Sequence, residues 1–272
     1  MTAELVEVTP RTAATVMLVR DGDAGMEAFM VRRVASAGFA AGAYVFPGGT
    51  VDPADRDPGY ARWCPGRTDA DASATLGLDE GGLALWIAAV RECFEEAGIM
   101  LAKRFDGTSL WFDDPEVGAR FDEHRRSIIA GKRSLADVCD AEDLRLAVDA
   151  LHYFAHWITP VGSPRRYDTR FFVATVPEGQ EPRYDDGELV AQAWIRPSDA
   201  LERSRRGDFT LILPTIRNLQ AIAPFERTAD LMRAAAIPRT VTTVLPEVAD
   251  RGDGVRVMLP GDDGYQEEKK RR

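Results

Sequence analysis

Apolar residues along this chain fall in runs whose spacing changes from segment to segment. Residues 12–20 combine small, β-branched and apolar side chains and predict a strand. Asp21–Gly25 reads as a turn, and residues 27–33 as the returning strand of a hairpin. Residues 35–43 are a small-residue loop, a candidate lid or an ordinary connection. Tyr44-Val45-Phe46 is a short apolar strand that ends in Pro47-Gly48-Gly49, where glycines permit positive φ and close backbone approach to a ligand. The pattern then changes. Leu83–Val90 is an unbroken apolar run without Gly or Pro, followed directly by the charged segment Arg91–Ala97. Together they predict one helix that Gly98 stops. Residues 115–130, a short segment around Leu135–Cys139, and 142–150 read as further helices. Residues 153–159 and 169–176 predict two strands around a Pro- and Gly-marked turn at 160–164. A strand at 190–195 leads into a helix at Pro197. Helices at 213–223 and 227–236 follow, then a closing hairpin near 255–265 and a charged, frayed end.

Charge placement adds chemistry to this outline. Glu92, Glu95 and Glu96 stand at i, i+3 and i+4, so a helix puts them on one face within a turn. Like charges at that spacing repel and destabilise a helix. A hard divalent cation reverses the effect, because Mg²⁺ and Mn²⁺ prefer carboxylate oxygens. A solvated polar face is the plain alternative. The glycine turn upstream and the helix stop downstream favour a metal site. Along the strand after Pro164, Arg166, Asp168 and Arg170 fall on one face, and Tyr167, Thr169 and Phe171 on the other. With Arg165, these arginines are candidate phosphate grips, since the guanidinium fork matches phosphate oxygens; the alternative is a solvated strand face.

Bulk properties narrow the partners. The chain has 272 residues, 45% hydrophobic and 29% charged, enough for one large core without a linker to divide it. A net charge of −10 argues against a nucleic-acid backbone as partner but admits a phosphorylated small molecule. Cys64, Cys93 and Cys139 are odd in number and scattered, which fits a reducing compartment and shows no zinc spacing. No run reaches the roughly 18 apolar residues of a membrane span, and the first residues are acidic, so the expectation is a cytoplasmic protein off the membrane. A homodimer is left open.

The segment Arg91–Ile99 resembles the end of the Nudix box, G-x5-E-x7-R-E-U-x-E-E-x-G-U with U a bulky apolar residue, if Cys93 is accepted as apolar. Gly49–Asp55 resembles its front, with Asp55 where the motif has Glu. Residues 56–83 intervene. An unsplit register starting at Gly77 would put Leu83 at the Glu position and lacks the Pro-Gly-Gly turn, so it is rejected. The split box resembles a branch of the Nudix hydrolase superfamily that includes a peroxisomal coenzyme A diphosphatase and bacterial relatives. That resemblance implies an α/β/α sandwich with a mixed sheet plus a helical insertion, as one domain over residues 1–272. Insertions would lie near 56–83 and 102–150, with a C-terminal extension near 238–272. The first insertion reads as surface structure that widens or covers the pocket. By the same resemblance Glu92, Glu95 and Glu96 ligate Mg²⁺ or Mn²⁺, Arg91 orients the carboxylates, and Gly48 and Gly49 approach the substrate. Glu188 is the implied second-metal ligand or general base. The implied reaction is hydrolysis of a nucleoside diphosphate linked to another group, coenzyme A or acyl-coenzyme A first. ADP-ribose, NADH and nucleoside triphosphates are alternatives, as is a non-catalytic ligand-binding module.

Overall fold

A computed structural model describes residues 8–34, 40–183, 189–250, 255–262 and 265. In chain order come β1 (Arg11–Gly22), β2 (Gly25–Arg33), β3 (Tyr44–Val45), β4 (Gly48–Thr50), α1 (Asp69–Leu76), α2 (Leu83–Ala97) and β5 (Ala102–Arg104). They are followed by α3 (Pro115–Ile129), α4 (Leu135–Glu142), β6 (Leu144–Leu146), β7 (His152–Ile158), β8 (Tyr167–Thr175) and β9 (Leu189–Ile195). Last come α5 (Pro197–Arg206), α6 (Leu213–Ile222), α7 (Thr228–Ala236), β10 (Thr243–Val244), β11 (Glu247–Asp250) and β12 (Val255–Met258). No helix among the described residues is long and apolar enough to cross a membrane.

The main sheet is mixed, in the order β10-β7-β8-β1-β2-β3, with β4 also on β1 and β9 also on β2. β1 holds it together. One edge runs parallel to β8 from Arg11 to Val19. The other edge changes partner, pairing with β4 over Ala13–Thr15 and with β2 over Val19–Gly22. Alternating residues of β1 feed two cores, as a twofold side-chain period requires. Ala14, Val16 and Leu18 pack toward α2, while Met17 and Val19 pack toward α5, α6 and α7.

Helix α2 explains its own composition. Every residue from Leu83 to Val90 is buried. A helix that is apolar all round needs cover on all sides. The sheet covers one side, with Trp86 against Phe172 at 4.7 Å between ring centroids. Residues 56–83 and 102–150 supply the rest: Tyr60, Trp63, Ala72 and Leu76 from the first segment join the same core as Phe121, Leu135 and Val138 from the second. The expectation that residues 56–83 only dress the surface is therefore corrected. That segment also caps α2. Asp69 takes the N–H groups of Leu83 and Gly81, both at 2.9 Å, and Ser73 Oγ takes that of Gly82 at 2.8 Å. Gly82 is required by contact, since a Cβ there would stand 2.3 Å from the backbone nitrogen of Ser73. At the other end Gly98 adopts φ 68° and closes the helix.

The helix expected over 142–150 is absent. Asp143 takes the left-handed conformation at φ 52°, ends α4, and turns the chain into β6, which pairs with β5. Leu144, Leu146 and Val148 are buried in alternation, a strand period rather than a helical one.

Candidate active site

Where the edge of β1 changes partner, a cleft of about 700 Å³ opens. Ala13, Thr15, Gly48 and Gly49 form its floor, and Glu92 and Glu96 enter from α2. Trp157 and Phe171 from the sheet and Leu213 and Pro214 from the start of α6 make its apolar wall. Pro246, and Val257 of β12, line the same opening.

The two glycines are explained by approach rather than by φ, since neither has positive φ. A Cβ on Gly49 would lie 2.4 Å from Glu92 Oε1, and one on Gly48 would lie 2.5 Å from the carbonyl oxygen of Ala14. The Gly48 N–H donates to Glu96 Oε2 at 2.9 Å. Bare backbone thus lets two carboxylates of α2 lie against β4.

Arg91 organises the turn. Its Nε and Nη2 form a fork on the two oxygens of buried Asp55, at 3.0 and 2.9 Å. Nη2 also donates to the carbonyl of Thr50 at 2.8 Å. Nη1 donates to Glu92 at 2.8 Å and to Glu95 at 3.2 Å. Asp55 in turn accepts the N–H of Asp52 at 2.8 Å. One guanidinium therefore links both halves of the split motif and sets the direction of two glutamates.

The three glutamates do not meet at a point. Among the described residues no three His, Cys, Asp or Glu side chains converge on one ion position. Glu92 and Glu96 line the cleft, whereas Glu95 lines a neighbouring depression with Asp52, Arg91, Lys132 and Arg133. Glu92 and Glu96 still suit a hard cation. Both are carboxylates on one cleft wall, and Glu92 is enclosed enough that burial, reinforced by Glu96 and Glu95 against the opposing pull of Arg91, pushes its carboxyl up to about 8. Burial likewise raises Glu95.

Glu92 gives a pH prediction. Its carboxyl titrates higher in the folded chain than the 4.5 of an unperturbed Glu. Stability from this group is then fully present below the unfolded value and is lost as pH rises through about 8. A cation beside it removes that loss. The expected result is that millimolar Mg²⁺ raises the thermal midpoint more at pH 8.5 than at pH 6. A gain equal at both pH values, or one that persists in Glu92→Gln, would contradict it.

The arginines expected at the substrate lie elsewhere. β8 presents Tyr167, Thr169 and Phe171 to the cleft, so the alternate residues face away. Arg166 is buried, with Nε on the carbonyl of Thr159 and Nη1 on that of Val8. Arg170 is buried against Asp168, which also holds His156; His156 Nδ1 lies 2.8 Å from Thr243 Oγ1 of β10. Arg165 is exposed and lines neither opening. Period two fixed which residues share a face, but only packing decided which face meets the cleft. The cationic cleft residues that sequence reading missed are Arg11 and Arg33, at the first position of β1 and the last of β2. Glu188, the acidic pair Asp185 and Asp186, and residues 35–39 of the candidate lid lie outside the described residues.

Comparison with solved structures gives a NUDIX hydrolase from Alicyclobacillus acidocaldarius, with a TM-score of 0.68 and 28% identity, covering 85% of this chain and 99% of that one. The mixed sheet between helical layers is thus that of a Nudix hydrolase, a class that acts on phosphoric anhydride bonds. The profile of the NUDT19 Nudix domain matches residues 67–222, and the chain belongs to that family. Among curated relatives, the acyl-coenzyme A diphosphatase NUDT19 of Gallus gallus is 28% identical over 284 residues, 91% of this chain and 75% of that protein. The protein of the same name from Homo sapiens is 28% identical over 282 residues, 90% of this chain and 73% of the relative.

Proposed function

We propose that the protein hydrolyses the diphosphate bridge of coenzyme A or an acyl derivative. Water adds to one phosphorus, the P–O–P bridge breaks, and two phosphomonoesters leave. The observation that best supports this reading is the composition of the cleft. A carboxylate end at Glu92 and Glu96 adjoins an apolar wall of Trp157, Phe171, Leu213 and Pro214. A coenzyme A thioester has the matching parts, a diphosphate and a long, weakly polar arm. The names of the curated relatives point the same way.

Glu92 and Glu96 would hold a divalent cation, Mg²⁺ or Mn²⁺, with Glu95 adjoining across Arg91. Such an ion offsets the charge of the diphosphate and lowers the pKa of a bound water. The chain itself supplies position. Arg91 fixes Glu92 and Glu95, the Gly48 N–H fixes Glu96, and Asp55 fixes Arg91. Asp55 is fully engaged by this fork, so its role is support rather than ligation. Glu188 remains the proposed base.

A substrate panel with Mg²⁺ and with Mn²⁺ tests the reading. Coenzyme A or an acyl-coenzyme A is expected to give the highest kcat/KM. A preference for ADP-ribose, NADH or a nucleoside triphosphate would overturn the substrate. Binding without turnover of any of them would overturn the reaction.

A further inference from the structure

The large apolar side chains that stand in solvent are mostly scattered singly, which is ordinary for a protein surface. Val248 of β11 and Val257 of β12 are different. They are directly opposite each other in the antiparallel pair, so their side chains share one face and touch the same space. That face is half exposed, at 49% and 50%. The twofold period sends Glu247, Arg256 and the buried Met258 to the opposite face. Val257 lines the cleft, so the valine face is the one turned toward it.

This ribbon is a sheet of its own and shares no strand with the main one. Two strands alone are marginally stable in water, so the ribbon needs tethers. Before it, β10 pairs in parallel with β7, Thr243 with His156 and Val244 with Trp157. After it, Tyr265 Oη donates to the carbonyl of Leu245 at 2.7 Å. The two ties bring the start and end of the segment together beside Trp157, and the valines are held at the opening. The apolar wall of Trp157, Phe171, Leu213 and Pro214 is thereby continued through Pro246 and Val257 to Val248, outside the cleft proper.

We infer that Val248 and Val257 form a shelf for the acyl chain of a coenzyme A thioester and set a preference for longer chains. The inference rests on the function proposed above and deepens it. The carboxylate end of the cleft takes the diphosphate, the wall takes the weakly polar arm, and the shelf takes what lies beyond the thioester. An acyl chain is the occupant that matches, because the shelf is apolar, open to solvent along one side and continuous with the wall. Contact this far from the reacting phosphorus is the same before and at the transition state, so it acts on KM rather than kcat.

The test compares octanoyl- with acetyl-coenzyme A on the full chain with saturating Mg²⁺. The unaltered protein is expected to favour octanoyl by roughly 10- to 30-fold in kcat/KM. Val248→Ser and Val257→Ser each lower that ratio by roughly threefold, and together by about tenfold, through KM. Val248→Leu keeps or raises the ratio. A thermal melt of each variant reads folding separately, and both sites are exposed enough to accept serine. A ratio near one in the unaltered protein, or a ratio that the double variant leaves unchanged, overturns the inference. So does a dimer in sedimentation that Val248→Ser dissociates without changing the ratio, since a second copy would then cover the face. Should no thioester be cleaved, the proposed function fails, and binding still decides the shelf. Octanoyl-coenzyme A should then raise the thermal midpoint more than acetyl-coenzyme A does, and the double variant should erase the difference; no difference in the unaltered protein overturns the shelf as well.

Discussion

Glu96→Gln is expected to lower kcat/KM with Mg²⁺ by about 10³-fold, or ~4 kcal/mol of transition-state stabilisation. The substitution keeps the shape of the side chain and an oxygen that can accept the Gly48 N–H. It removes the negative charge that would hold the cation. Stability should stay level or rise, because Glu92 loses a like-charged neighbour whose repulsion raises its own titration. Steady-state kinetics and a thermal melt of the same preparation check both halves. A variant that keeps more than a tenth of the activity would displace the carboxylate pair from the centre of the reaction.

Asp55→Ala is expected to cost about 3–5 kcal/mol of folding stability, the usual penalty for removing one partner of a buried ion pair. Asp55 is 1% exposed and receives two of the three guanidinium nitrogens of Arg91. Without it the charge of Arg91 remains buried, held by the Thr50 carbonyl, Glu92, Glu95 and the more distant Asp52 at 3.8 Å. The two glutamates would then have to serve an arginine that no longer has a fixed position, so activity should fall beyond the loss of folded protein. Urea unfolding measures the first effect as a lower midpoint at constant m. A loss below about 1 kcal/mol would show that the pair is not the anchor proposed here. Asp55→Glu restores the charge on a longer arm and should recover much of the stability.

Local signals made most of the elements legible. The hairpin of β1 and β2 and the apolar run and glycine stop of α2 announce themselves within a few residues of sequence. The region 142–150 did not, because a left-handed Asp143 turns the chain and a strand partner forty residues upstream converts the rest. Neither the turn nor the partner leaves a mark in the local pattern. Residues 56–83 misled for a related reason. Their small and acidic residues look like a loop, yet Tyr60 and Trp63 fill the core, and Asp69 and Ser73 cap the helix that follows.

The amino-acid sequence by itself determined the family, the helix that carries the carboxylates, and the two glycines that let them lie close. These depend on short spacings along one chain, where helical and extended periods dictate which side chains are neighbours. Tertiary structure alone decided that Glu92 and Glu96 share a cleft while Glu95 turns to Arg91, and that Arg33 rather than Arg166 or Arg170 lines that cleft. A strand has two faces of equal claim until something packs against one of them. The choice was made by α5, α6 and α7 on one side of the sheet and α2 on the other.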